Sequence, residues 1–331
     1  MLFQTEISKF KNSRSKKMIN LILLLIGLGL VVLGADWLVN GASSIARRAG
    51  ISEFVIGLTI VGFGTSCPEL VVSLTGAIEG NSDISVGNVV GSNIFNALFI
   101  LGLTALVLPV GMTDKNRRID IPITLVVTIL LVVLGITSSM SGPVISRWEG
   151  VAMLLVFSVY LFYCFKSDSK DELSETQQAI LSFPKAIALT LTGLAGLIFG
   201  GDLFVDSATA LARQIGVSDK FIAVTILAGG TSLPELATSL TAAIRGKEQL
   251  ALGNILGSNV FNAMLILGLS SIITPLSFAS MTIVDIAALI LSSVLLLIWA
   301  YTGRRNRIDR WEGAAMLLCY VAYNVFLFSR L

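Results

Sequence analysis

Glu69 and Glu235 sit in near-copies of one segment, Gly64-Thr65-Ser66-Cys67-Pro68-Glu69-Leu70 and Gly230-Thr231-Ser232-Leu233-Pro234-Glu235-Leu236, 166 residues apart. Both segments lie inside apolar sequence, where an ionisable side chain is costly and marks an ion or proton path by default. On a continuous helix Thr65, Ser66 and Ser73 would share the face of Glu69, as Thr231, Ser232 and Ser239 would share that of Glu235. The proline before each acid, Pro68 or Pro234, lacks an N–H and clashes with the carbonyl four residues back, so backbone oxygens should be freed at the depth of the acid. A second motif follows each acid, Gly87-Asn88-Val89-Val90-Gly91-Ser92-Asn93-Ile94-Phe95-Asn96 and Gly253-Asn254-Ile255-Leu256-Gly257-Ser258-Asn259-Val260-Phe261-Asn262. Asn88, Ser92 and Asn96, and their counterparts Asn254, Ser258 and Asn262, form amide and hydroxyl stripes, while each Gly-x-x-x-Gly admits a close helix neighbour. These hard, oxygen-only groups suit Ca²⁺, which takes about 6–8 oxygens, or Na⁺, and do not suit zinc or copper. Two ionised glutamates would be neutralised by one Ca²⁺ and overbalanced by three Na⁺, so the two occupancies exclude each other, as an exchanger requires.

Such residues need a bilayer-spanning scaffold. With 54% hydrophobic and 13% charged residues and a mean hydropathy of +0.86, the chain cannot hide its apolar side chains in a soluble globule. Apolar segments of about 20 residues place ten transmembrane helices at 19–45, 54–79, 84–108, 119–138, 146–166, 184–213, 220–244, 249–274, 282–301 and 310–329. Gly34–Pro109 aligns on Gly200–Pro275 without a gap and with identity at about half the positions, and Arg147-Trp148-Glu149-Gly150 matches Arg310-Trp311-Glu312-Gly313. The expected organisation is a basic tail over 1–17, a first repeat over 18–166, a cytoplasmic linker over 167–183 and a second repeat over 184–331. Five helices is an odd number, so the second repeat enters the membrane inverted.

Fourteen Lys and Arg fall at the loops after helices 1, 3, 5, 7 and 9, against four at the other loops and the carboxy terminus. That bias makes the first set cytoplasmic and both termini external. Five basic residues before Met18 oppose this orientation, which favours Met18 as the native start. A cleaved signal peptide is the lesser reading, since it would remove a helix that the second repeat retains.

A net charge of +2 gives no electrostatic footprint for nucleic acid. Three scattered cysteines and the absence of histidine exclude a disulfide framework, a zinc site and a Ser-His-Asp triad. No cofactor is expected beyond the transported ions themselves, and the chain is expected to work as a monomer in the cell membrane.

The doubled GTS-x-PE and GN-xx-GSN-xx-N motifs resemble those of the cation/Ca²⁺ exchangers, specifically the prokaryotic Na⁺/Ca²⁺ exchanger type, whose two α-repeats are similar to Gly57–Leu103 and Ala223–Leu269. The resemblance implies that Glu69 and Glu235 are the ion-binding carboxylates. It further implies that Thr65, Ser66, Thr231, Ser232, Ser92 and Ser258 supply ligands, that the carbonyls of Gly62 and Ala228 complete Na⁺ sites, and that Asn96 and Asn262 line the centre. It also implies that helices 1 and 6 slide or rock against the rest. Some members, including the K⁺-dependent branch, carry aspartate where this chain has Asn262, which speaks against K⁺ cotransport.

Other readings compete. The glutamates could be structural acids kept protonated. Asn88, Asn93, Asn254 and Asn259 serve packing as readily as ligation. Asp36 and Asp202 read as interfacial charges, with a gating contact as the alternative, Cys67 as an inert thiol, and Arg304, Arg305, Arg307 and Arg310 as a headgroup anchor. H⁺ could replace Na⁺ as the coupling ion, or the chain could be a passive channel, although channels are commonly rings of subunits.

Overall fold

The computed structural model describes residues 2–137, 142–167, 181–217, 228–302 and 306–330. Among the described residues eleven helices exceed ten residues: α1 (Leu2–Ala49), α2 (Glu53–Thr65), α3 (Cys67–Ile78), α4 (Ser82–Val107), α5 (Asn116–Ile136), α6 (Arg147–Lys166), α7 (Phe183–Gln214), α8 (Leu233–Ile244), α9 (Glu248–Ile273), α10 (Ile283–Trp299) and α11 (Arg310–Arg330). Among the described residues seven are long and apolar enough to cross a membrane, and an eighth span results if α2 and α3, bent by 49° at Ser66, are one. The shorter α8 and α10 occupy the two remaining expected positions. Residues 220–227, the start of the seventh expected span, and most of the expected linker lie outside the described residues.

The chain is an inverted repeat, and small loop pairings show it. Strand β1 (Val110–Gly111) pairs antiparallel with β4 (Arg307–Ile308), joining the loops after the third and ninth spans, and β2 (Val144–Ile145) pairs likewise with β3 (Leu276–Ser277), joining those after the fourth and eighth. Lys115 donates to the Ser167 carbonyl at 2.8 Å, Arg48 to that of Leu181 at 2.5 Å and Gly111 N–H to Glu248 at 2.6 Å. Hence the loops after spans one, three, five, seven and nine gather on one face, the face holding most of the Lys and Arg. On the opposite face Arg147 bonds the carbonyls of Ile272 and Ile273, and Arg310 repeats the arrangement on the basic face at Val107. Arg304 and Arg305 lie outside the described residues, and Arg307 pairs with Asp309 at 2.8 Å.

Helices α4 and α9 form the centre, 78% and 83% buried over their apolar windows, whereas α1 and α7 are 22% and 28% buried and lie outside them. Gly253 and Gly257 let the backbone of α2 lie against α9, since a Cβ at Gly253 would overlap the Phe54 carbonyl. The partner expected for Gly87 and Gly91, residues 220–224, is outside the described residues. Helices α1 and α7 cross antiparallel through a ladder of glycines seven residues apart. Gly34 faces Gly193 and Leu197, Gly27 faces Gly200 and Phe204, and Gly41 faces Ala186 and Thr190.

Candidate functional site

The site begins with a helix that stops and restarts. Helix α2 ends at Thr65, Ser66 leaves helical geometry with φ −82° and ψ 8°, and Cys67 and Pro68 open α3. Proline is tolerated there because the first-turn N–H groups have no intrahelical partner. Glu69 thus sits in the first turn of α3, where the positive end of the helix dipole favours a carboxylate. Ser232, with φ −89° and ψ 9°, Leu233 and Pro234 repeat the break, and Glu235 occupies the first turn of α8. Both glutamates are 0% exposed.

The break redirects the hydroxyls, which corrects the expectation of a continuous helical face. Ser66 donates not to Glu69 but across the repeats to Glu235 Oε1 at 2.9 Å, and Ser232 crosses in the other direction to Glu69 Oε1 at 2.8 Å. From the second motif, Ser92 donates to Glu69 Oε1 and Ser258 to Glu235 Oε1, each at 3.4 Å. Ser73 and Ser239 instead accept from the amides of Asn88 and Asn254. The same amides reach the backbone carbonyls of Glu69 and Glu235 at 3.1 and 3.4 Å. Both asparagines therefore brace the first turn carrying the acid, the packing role. Asn93 joins the halves through the Asn259 carbonyl at 3.1 Å.

What remains unpaired is oxygen-rich. Glu69 Oε2, Glu235 Oε2, Thr231 Oγ1 and all the amide atoms of Asn96 and Asn262 are buried without a hydrogen-bond partner. Buried polar groups are nearly always satisfied, so these orphaned atoms, those of the two acids among them, need an explanation such as an ion. Asn96 and Asn262 lie on π-helical turns, Phe95–Ile100 and Phe261–Ile266, which shift side-chain direction at the centre of α4 and α9. The Gly62 carbonyl is 3.5 Å from Ser258 Oγ, beside the same centre. Ala228 begins a single helical turn, Ala228–Gly230, before Thr231. Among the described residues no three His, Cys, Asp or Glu side chains cluster, so any cation here draws on hydroxyl, amide and carbonyl oxygens beside the two acids.

The two ways out of the site differ. A cavity of about 480 Å³ lined by Cys67, Asn88, Thr231 and Asp202 follows α3 to Val72 and α7 to Val205. It thus runs toward loops 79–81 and 215–217, away from the basic face. On the basic side α1 is closed down on α8, with Ala35, Leu38, Val39 and Ala42 in one apolar cluster with Ala242 and Ala243. Asp36 forms an ion pair with Arg245, and Lys247 reaches the Val39 carbonyl and the Asn40 side chain, both at 3.4 Å. Asp36 is thus a contact between α1 and the loop after α8, whereas its counterpart Asp202 borders open space. The sequence pattern did not reveal this pairing, because Arg245 has no basic counterpart at Glu79.

The family model described as sodium/calcium exchanger protein matches residues 19–166 and again 185–329. The sodium/calcium exchanger MaX1 of Methanosarcina acetivorans is 34% identical over 347 residues, spanning 94% of this chain and 99% of that protein. The inner membrane protein YrbG of Escherichia coli is 38% identical over 263 residues, 76% of this chain and 79% of its own. Among solved structures, the sodium-calcium exchanger NCX_Mj soaked with zero Na⁺ and Ca²⁺ superposes with a TM-score of 0.82 at 34% identity, covering 94% of this chain and 99% of that one. The chain is a polytopic membrane transporter, not an enzyme, and it belongs to the sodium/calcium exchanger protein family.

Proposed function

We propose that this protein exchanges Na⁺ for Ca²⁺ by alternating access, with the inward Na⁺ gradient driving Ca²⁺ out of the cell. The observation that carries the reading is the pair of fully buried carboxylates, each with one oxygen held by a serine of the opposite repeat and the other left without a partner. Glu69 and Glu235 bind Ca²⁺ through those free oxygens, with Thr65, Thr231, Ser66, Ser232, Ser92 and Ser258 and the carbonyls of Gly62 and Ala228 sharing in the Ca²⁺ and Na⁺ sites. Asn96 and Asn262 line the centre. Bound Ca²⁺ neutralises the two acids, and three Na⁺ would leave one positive charge. A cycle of that stoichiometry moves one net charge, so the membrane potential contributes about 2.3 kcal/mol per 100 mV.

The basic face is cytoplasmic by the Lys and Arg bias, which puts both termini and the mouth of the cavity outside the cell. Repeats 18–166 and 184–331, joined by linker 167–183, each supply half of the site, and a single chain in the cell membrane suffices.

The test is ⁴⁵Ca²⁺ uptake into proteoliposomes loaded with Na⁺, choline or acid. Uptake only with internal Na⁺ supports the proposal, uptake driven only by a proton gradient moves the coupling to H⁺, and uptake under every loading makes the protein a channel.

A further inference from the structure

Two repeat-related hydrogen bonds break the symmetry of the site. Thr65 and Thr231 occupy equivalent positions, as do Asn254 and Asn88, so the pairs Thr65–Asn254 and Thr231–Asn88 should match. They do not. Thr65 Oγ1 lies 3.1 Å from Asn254 Oδ1, a contact between the repeats that shares the hydroxyl proton with the Val61 and Gly62 carbonyls at 3.1 and 3.3 Å, and Asn254 is 0% exposed. Thr231 Oγ1, beside the Glu69 carboxylate, makes no hydrogen bond to Asn88, and both it and the half-buried Asn88 line the cavity. Everything else about the two asparagines is alike, including their bonds to Ser73 or Ser239 and to a glutamate carbonyl.

The made bond lies on the sealed side. Residues equivalent to the cavity lining at Gly201 and Val205 are Ala35 and Val39, each 0% exposed. We infer that Thr65–Asn254 and Thr231–Asn88 are alternative seals of one ion site, that only the first is closed in this structure, and that transport exchanges one for the other. Asn254 and Asn88 are then positioning residues that set which side is closed, not ion ligands. In an inverted repeat the opposite state follows by exchanging the conformations of the halves. In that state Asn88 accepts from Thr231, the Thr65 bond opens, and a cavity lined by Leu233 replaces the one lined by Cys67.

This inference rests on the exchanger reading and is tested apart from it, by thiol accessibility in purified protein without ions. Two reporters are prepared on a Cys164→Ser, Cys319→Ser background. One keeps Cys67, and the other carries Cys67→Ser with Leu233→Cys. Each is labelled with a positively charged methanethiosulfonate. Asn254→Ala should raise the labelling rate of the Leu233→Cys reporter by up to about fivefold, the population shift for losing one ordinary hydrogen bond, and lower that of Cys67. Asn88→Ala should lower the Leu233→Cys rate by about fivefold and leave Cys67 reactive. A variant that merely loosens the fold would speed both reporters together. Movement of both in the same direction, or no movement in either variant, overturns the exchange of seals. Neither outcome bears on Na⁺ dependence of uptake, so the two claims fail separately.

Discussion

Ser66 on the first repeat donates to the Glu235 carboxylate on the second at 2.9 Å, and Ser232 returns the bond to Glu69 at 2.8 Å. Each acid is thereby oriented by the half of the molecule to which it does not belong, so neither repeat can hold a complete site alone. A hydrogen bond to a charged acceptor contributes about 1.5–3 kcal/mol. Ser66→Ala and Ser232→Ala should each weaken Ca²⁺ by at least about tenfold, read as the half-saturating Ca²⁺ concentration of uptake. Equal effects from the two variants are the mark of reciprocal crossing. An effect from only one would show that the site is not shared evenly.

Asn96 and Asn262 separate ligation from packing. Their amides are buried and unpaired, so removing them discards no protein hydrogen bond and should leave the melting temperature of the ion-free protein unchanged or raised. A ligand that binds only the folded state raises that temperature with concentration. Asn96→Ala and Asn262→Ala should lose most of the rise that Ca²⁺ produces in the parent protein. Destabilisation without ions and a preserved Ca²⁺ response would assign these residues to the core.

The glycine ladder between α1 and α7 predicts a steric contrast within one helix. A Cβ at Gly34 would overlap the Gly193 carbonyl, whereas Gly29 has nothing within 4 Å. Gly34→Val should cost about 1–3 kcal/mol by overpacking and reduce uptake, with Gly29→Val close to the parent in both. Thermal unfolding followed beside transport measures the contrast. Equal tolerance at both positions would mean that the helices separate without consequence.

Much of this was legible in the chain. Apolar runs, the ungapped repeat and the odd helix number led to the inverted architecture, and the pairing of β1 with β4 and of β2 with β3 sorts the loops as the charge bias anticipated. The acids and their prolines were legible because a proline inside an apolar run removes an N–H and clashes with the carbonyl four residues back. The partners of the hydroxyls were not. Spacing on an unbroken helix assigns Ser66 to Glu69, and only the turn at Ser66 swings it toward Glu235. The π-helical turns at Asn96 and Asn262 carry no residue type that marks them. Thr65 and Thr231 have the same identity and the same immediate neighbours, Gly64 and Ser66, Gly230 and Ser232, so nothing in those residues marks their difference in bonding.

Glu69 and Glu235 together are expected to hold one Ca²⁺ at a site for which Na⁺ competes. Equilibrium dialysis of ⁴⁵Ca²⁺ against purified protein, over a series of Na⁺ concentrations with K⁺ or choline keeping ionic strength constant, tests it directly. The predicted result is a single Ca²⁺ per chain, displaced by Na⁺ more steeply than one competing ion allows, and lost in both Glu69→Gln and Glu235→Gln. Binding that survives either substitution, or that Na⁺ displaces no better than K⁺, would contradict it.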